Sequence, residues 1–558
     1  LARSAVSAAS AAVGLGLLAA SKAFVDYSTS GLENPLVHLG LFLFTRVYLA
    51  GGPMALRGLA VIAGLCICTR LDMGLLLAPA LVAAACAAPW RRVLRWTCAG
   101  FAPLGLWTAF SLFYYGSPVP NTAYAKLNTG IARGELFDQG LAYYLNSLGA
   151  DPLTLGVIAC SLSLVLRYRQ GRALALGMIL YMGYVVWIGG DFMSGRFFSG
   201  VFAIAVALIV RFDFDALRPG AAAAVVLALA HLAFANSPLR ASVDYGGGDL
   251  KDEHEIADER GYYYASTGLF ANDRRPLADH KLAQEGRRAA VAGKSPVLAG
   301  NIGFFGFYAG PGVYVLDGFA LADPLLARLP IRSMHWRVGH YVRDIPDGYW
   351  ETLATGRVEL EDPRLNQFYR ALTMIARGPL WSPERWREIW RLNAGAYDEL
   401  LAPFFVAREL QVEGFDLLAQ GKAAKALPVF AQAVALDSTR AAAWYGLAHA
   451  RRLGGDYPGA ITAVRRALAR ESYRVMYQEE LAELAVAFDE RGEAVMARTL
   501  YEEVLSHNAQ IPVVHLRLGR LYELDGRRAE AIDQYRVFLK AHPDDDRVAA
   551  HLRALEGR

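Results

Sequence analysis

MGLLLAPALVAAACAAPWRRVLRW, residues 73–96, decides the fold class. Its first part carries no charge and is long enough for a helix to cross a bilayer, which takes about 17–25 mostly apolar residues. It ends in a short turn bearing Arg91, Arg92 and Arg95. Arginines clustered in a short loop mark the cytoplasmic end of a span. Outward from this stretch the same pattern recurs, with apolar runs near 5–20, 35–50, 54–69, 94–113, 152–166, 173–189, 197–212 and 220–235. The sequence thus predicts about nine spans. A soluble helical protein would need polar helix faces, which these runs lack.

The composition of the 558 residues is uneven. Apolar runs fill the chain up to Asn236, and charges are dense from Ser237 onward. The net charge of +4, without a basic tail, does not suit a nucleic-acid partner. All five cysteines (Cys66, Cys68, Cys86, Cys98 and Cys160) lie in apolar runs. The Cys66/Cys68 pair lacks further ligands at metal spacing, and the cysteine-free remainder offers no disulfide framework. Divalent-metal dependence stays open. The chain opens with Leu1 directly in an apolar run, which reads as a missing beginning.

Besides Arg91, Arg92 and Arg95, the loop RYRQGR (Arg167, Arg169 and Arg172) anchors the cytoplasmic side, and counting spans adds Arg46, Arg57, Arg211 and Arg218. The opposite side receives DYSTSGLENP (26–35), TRLD (69–72), YYGSPVPNTAYAKL (114–127) with its continuation to Asp151, and GGDFMSGR (189–196). Asp26, Glu33, Asp72, Glu135, Asp138, Asp151 and Asp191 fall there, whereas Asp213 and Asp215 do not. The last span exits on that side, so everything after Asn236 is expected to be extracytoplasmic.

Ionisable groups at membrane depth are costly and commonly line a pathway or cavity. Glu33, Asp72 and Asp191 are the acidic candidates for chemistry, with Arg70, Lys126 and Arg196 as phosphate-binding candidates. Arginine grips phosphate oxygens bidentately, and lysine acts as a point charge. Gly189, Gly190 and Gly195 permit the tight turn that presents Asp191 and Arg196 together. Pro118 and Pro120 favour extended residues before them, predicting an open, rigid loop. Tyr114, Tyr115, Asn121 and Tyr124 of that loop are candidates to contact a sugar or lipid. The plainer readings are mutual pairing of the charges, a helix-dipole role for Glu33 and an interfacial tyrosine belt.

FVDYSTSGLENPL, TRLDMGLLLAP, YYGSPVPNTAYAKL and GGDFMSGRFF together resemble the multi-spanning GT-C glycosyltransferases, above all the terminal arabinofuranosyltransferases of mycobacterial cell walls. GNIGFFGFYAGPGVYVLDGFALADPLLARLP, WRVGHYVRDIP and ARGPL continue the resemblance, which runs over residues 20 to 400. It implies a polyprenyl-phosphate sugar donor, with arabinofuranose or another pentose passing to an envelope glycan acceptor, with inversion, outside the cytoplasmic membrane. A carboxylate would take the acceptor proton and cationic donors would stabilise the phosphate leaving group. In that family the principal acidic residue lies in the first outer loop, expected here upstream of Leu1.

Three regions follow: a polytopic GT-C-like helical bundle over 1–236, an extracytoplasmic α/β domain over 237–405, and a repeat domain over 406–558. In the second, SPVLAGNIGFFGFYAG and GVYVLDG read as short β-type runs and DHKLAQEGRRAAVAG as a helix. Its glycines lack the spacing of a nucleotide loop. Trp336, beside His335 and His340, is the candidate for stacking on sugar. In the third, Ala426, Ala460, Ala497 and Ala531 recur with a period of about 34, followed by Phe430, Val464, Tyr501 and Tyr535. This resembles the tetratricopeptide repeat, an α-solenoid that implies a docked partner. The alternative to an enzyme is a membrane-anchored scaffold of envelope or flagellar-motor machinery, acting through the repeats without catalysis.

Overall fold

The computed structural model describes residues 4–52, 54–127, 129–165, 171–214, 250–268, 279–293, 295–332 and 335–557. The apolar run 220–235, most of RYRQGR, Asp215, Arg218 and the expected boundary at 236 lie outside them. The protein is mostly helical and divides into two units.

The first unit holds residues 1–327, 335–341 and 371–394. Its helices are α1 (Ala8–Ala20), α2 (Lys22–Ser28), α3 (Asn34–Ala50), α4 (Ala55–Thr69), α5 (Met73–Cys86), α6 (Trp90–Tyr114), α7 (Asn121–Leu127), α8 (Arg133–Ala150), α9 (Pro152–Val165), α10 (Arg172–Trp187) and α11 (Arg196–Ile209). Helix α11 is apolar all round and buried continuously from Phe198 to Ile209, so it serves as the core strut. Helices α3 and α9 pack on it, α4 packs between α3 and α6, and α5 packs on α10. The expected apolar runs up to 212 each become a helix. Among the described residues, however, no single helix is long and apolar enough to cross a membrane. Two bent pairs have that length and composition together, α1 with α2 at 75° and α8 with α9 at 107°. Ser21 separates α1 from α2, and Asp151 separates α8 from α9.

Two expectations for the stretch after α6 change. NTAYAKL is helical rather than an open loop, because Asn121–Leu127 forms α7 directly after Pro120. The continuation to Asp151 is the 18-residue α8, whose Arg133, Glu135 and Asp138 hide its helical pattern in a reading based on apolar runs.

Farther along lie α12 (Glu259–Thr267), α13 (Lys281–Ala292), β1 (Val297–Ala299), α14 (Ile302–Ala309) and β2 (Val315–Asp317). β1 and β2 pair in parallel, Val297 opposite Val315, with α14 as the crossover. Thus IGFFGFYA is a helix rather than a β-type run. Its uniformly apolar sequence carries no period to distinguish the two. Two three-residue strands supply too little surface for a core of their own. Accordingly, the segment expected as one α/β domain is divided between the units, with 328–334 and 342–370 in the second.

The second unit adds residues 395–558. Here α15 (Tyr349–Thr355) and the start of α16 (Pro363–Arg377) precede α18 (Asp398–Ala419), α19 (Ala423–Leu436), α20 (Ala441–Leu453), α21 (Tyr457–Arg470), α22 (Val475–Glu490), α23 (Ala494–His507), α24 (Pro512–Leu524), α25 (Arg528–Ala541) and α26 (Asp546–Glu556). Helix α17 (Pro383–Asn393) belongs to the first unit. Helices α18–α25 pack as successive antiparallel pairs. The repeated alanines Ala426, Ala460, Ala497 and Ala531 are wholly buried, as are Phe430, Val464 and Tyr501. Small and large residues therefore alternate through the stack as the period requires. Arg440 is buried and donates to Gln411 and to the carbonyls of Ile331 and Arg332, with Asp344 at 3.6 Å.

Candidate active site

Three helix connections in the first unit place charge at one end of the bundle: α2–α3 carries Glu33, α4–α5 carries Arg70 and Asp72, and α10–α11 carries Asp191 and Arg196. The last turn is built on glycine. Gly189, Gly190 and Gly195 adopt φ of +83°, +71° and +73°, a region open to glycine without a Cβ penalty. At Gly190 the ring of Tyr143 fills the space a Cβ would take. The turn thereby delivers Asp191 and Arg196 to the mouth of the core helix.

These five residues form one ion network. Arg70 clasps Asp72 through Nε (3.1 Å) and a second nitrogen (2.5 Å). Arg196 reaches Asp191 at 3.2 Å. A single oxygen, Glu33 Oε1, accepts from both guanidiniums, at 3.3 Å from Arg70 and 2.8 Å from Arg196. The Tyr181 hydroxyl donates to Asp72 at 2.8 Å, and the Asp191 carboxylate accepts from the Phe192 N–H at 3.0 Å. Arg196 Nε is buried with no partner among the described residues. Burial pushes the Glu33 carboxyl up, but Arg196, Arg70 and their hydrogen bonds outweigh it and hold it below the usual range.

Beside this network lies a second one. Lys22 pairs with Asp26 at 2.5 Å and with Asp258 at 2.9 Å, and Arg260 pairs with Asp26 at 2.9 Å. Arg337 lies within 3.8 Å of Glu259 and over the Phe192 ring. Burial pushes the Glu259 carboxyl up to about 6, against the pull of Arg337 and with the charge of Asp191 adding to the rise. His340 sits between the rings of Phe192 and Phe319, at 4.0 and 4.5 Å. Burial, with Arg337 and Lys126 nearby, depresses it to about 3.

The structure thus joins Glu33, Arg70, Asp72, Asp191 and Arg196 directly and treats the other sequence candidates differently. Asn121 is a structural pin, its amide within 3.2 Å of the carbonyls of Ala320, Leu321 and Asp323. The Tyr124 hydroxyl bonds Ser117 at 2.8 Å. Tyr114 and Tyr115 pack against each other and Phe110 on an exposed face. Lys126 is exposed, and its charge is felt by His340. Trp336 spends its indole N–H on Glu135 at 3.0 Å. Sequence reading missed Lys22, Tyr181, Glu259, Arg260 and Arg337. Lys22 and Asp26, four apart at a helix start, were the one legible signal; the others come from distant segments.

Over 421 residues the chain is 28% identical to the terminal β-(1→2)-arabinofuranosyltransferase of Mycobacterium tuberculosis. The alignment takes in 58% of this chain and 64% of that relative, so the chain spans less than two thirds of the relative's length. The tetratricopeptide-repeat family matches residues 417–472. Two crystal structures of MamA align with 28% of the chain. One, at 23% identity, is covered over 77% of its length with a TM-score of 0.22; the other, at 24%, over 96% with a TM-score of 0.23.

Proposed function

We propose that this chain is an integral-membrane glycosyltransferase that transfers a sugar, arabinofuranose or another pentose, from a polyprenyl-phosphate donor to an envelope glycan. The work is done at the extracytoplasmic face of a bacterial cytoplasmic membrane. The observation that carries the reading is Glu33 Oε1 held jointly by Arg70 and Arg196. Two guanidiniums that converge on one oxygen are spaced to share a phosphate, and Arg196 Nε, without a partner among the described residues, offers a further donor. Stabilising the phosphate as it departs is the larger part of such a reaction. Glu33, Asp72 and Asp191 are locked to guanidiniums and suit positioning rather than proton abstraction. Glu259, ionising near neutral pH beside them, suits the acceptor proton.

The identity to an arabinofuranosyltransferase supports the sugar class. The exposed apolar side chains Leu39, Val61, Val82, Leu106 and Leu145, spread over helices α3, α4, α5, α6 and α8, support a bilayer setting, where such side chains meet lipid instead of water. The test is sugar transfer from a polyprenyl-phosphate donor in membranes carrying the full chain. Arg196→Ala is expected to lower transfer by about 100-fold, in the range of lost transition-state donors, and Lys126→Ala by far less. Normal transfer by Arg196→Ala, with the protein present at wild-type levels, overturns the phosphate assignment. The repeats support a second reading, a scaffold that docks a protein partner. Wild-type membranes that recruit such a partner but transfer no sugar from any polyprenyl-phosphate pentose would favour it.

A further inference from the structure

The ends of α3, α4, α5 and α6 remote from the ion network enclose a cavity of about 280 Å³. Its walls include Tyr48, Gly51, Gly52, Ala87, Arg92 and Trp96. Small residues leave the space, and Arg92 gives its wall a positive sign. Arg57, Arg91 and Arg95, each next in sequence to the lining residues Leu56, Arg92 and Trp96, are exposed as Arg92 is. Among the described residues none of the four has a carboxylate within salt-bridge distance, and between Glu33 and Glu135 the sequence holds one acid, Asp72, already committed to Arg70. Moreover, Arg57 and Arg95 both lie over the Trp96 ring, at 5.0 and 4.8 Å. An indole ring attracts cations, and an anion held between two guanidiniums at one ring is attracted by both and offsets their mutual repulsion.

We infer that this cavity binds the phosphodiester headgroup of an anionic phospholipid, gripped by Arg92 and Arg95 with Arg57 and Arg91 around it. Arginine's planar fork matches two phosphate oxygens. An amphiphile rather than a free ion is indicated because the helices leading from the cavity expose Leu43, Val61, Val82 and Leu94, a track for acyl chains. Basic pockets between spanning helices are suited to such headgroups. The inference rests on the membrane reading above but not on catalysis.

The full chain is reconstituted in phosphatidylcholine discs with and without phosphatidylglycerol, and co-purifying lipid is measured by native mass spectrometry alongside the thermal midpoint. The wild type is expected to retain phosphatidylglycerol over phosphatidylcholine by about tenfold or more, from two guanidiniums each contributing on the order of 1 kcal/mol. Arg92→Gln with Arg95→Gln, both exposed, is expected to abolish the preference, and Trp96→Ala to weaken it. Inorganic phosphate in lipid-neutral discs is expected to leave the midpoint unmoved. Equal retention of the two lipids, a preference unchanged in the double variant, or stabilisation by free phosphate equal to that by lipid overturns the inference. Failure to enter discs overturns it together with the membrane reading; entry without a lipid preference overturns it alone.

Discussion

Glu33 shows what a single residue contributes. Read alone it is an acid in front of a helix; placed by the fold, one of its oxygens accepts from Arg70 and from Arg196, the latter 163 residues away in sequence. Arg70 is largely buried, and removing one partner of a buried pair costs about 3–5 kcal/mol. Arg70→Ala should therefore unfold at markedly lower denaturant than Arg46→Ala, which changes an exposed arginine. Glu259 makes the sharper prediction. Its carboxyl is raised to about 6, so it is neutral below that pH and able to accept a proton above it. Transfer should rise through pH about 6 to a plateau. Glu259→Gln should remove that limb and lower the rate by about 10²–10⁴. A wild-type profile flat from pH 5 to 8 would remove Glu259 from the reaction. No local pattern announces this residue: its altered chemistry comes from burial and from Asp191 and Asp258.

At the scale of helices, the packing of α4 on α6 depends on two glycines. A Cβ on Gly64 would meet the carbonyl of Gly100, and one on Gly100 would meet the backbone of Ala60. Both obstacles are backbone, which cannot rotate away. Gly100→Leu should destabilise the first unit by about 1–3 kcal/mol or more, whereas Gly105→Leu, with open space, should be neutral. Thermal unfolding of the two variants in the same detergent distinguishes them. The helices themselves were legible from apolar runs, as α3, α4, α5, α10 and α11 illustrate. Helix α8 was not, because its core-facing Leu136, Gly140 and Tyr143 alternate with charges. Nor was α7, because proline-rich context masks the helical turn that begins after Pro120.

At the scale of the whole molecule, the repeat region cannot be cut cleanly at residue 406. Within the second unit Arg440 depends on the carbonyls of Ile331 and Arg332 and on Asp344, Arg364 bonds the Leu436 carbonyl, and Arg470 pairs with Asp347. Burial pushes the Asp344 carboxyl up to about 7 despite Arg440. Arg440→Met should cost about 3–5 kcal/mol where Asp344 is ionised. The loss should shrink below pH about 7, where Asp344 takes a proton and needs no cation. Denaturation of the full chain at pH 6 and pH 8, followed in the repeat helices, checks both parts. A loss independent of pH would assign the effect to packing alone.

Periodic features were fixed by sequence alone. The repeat alanines, the apolar runs and the glycines at 189, 190 and 195 each answer to a local demand: a close helix contact, a buried face, or a positive φ. Repetition makes such demands visible in one dimension. The ion network, the raised Glu259, the pinning of Asn121 and the arrival of Arg57 over the Trp96 ring were decided only in three dimensions. Each depends on a charge or carbonyl brought from a distant segment, and Coulomb and hydrogen-bond energies depend on separation in space and on burial. Neither quantity is written along the chain.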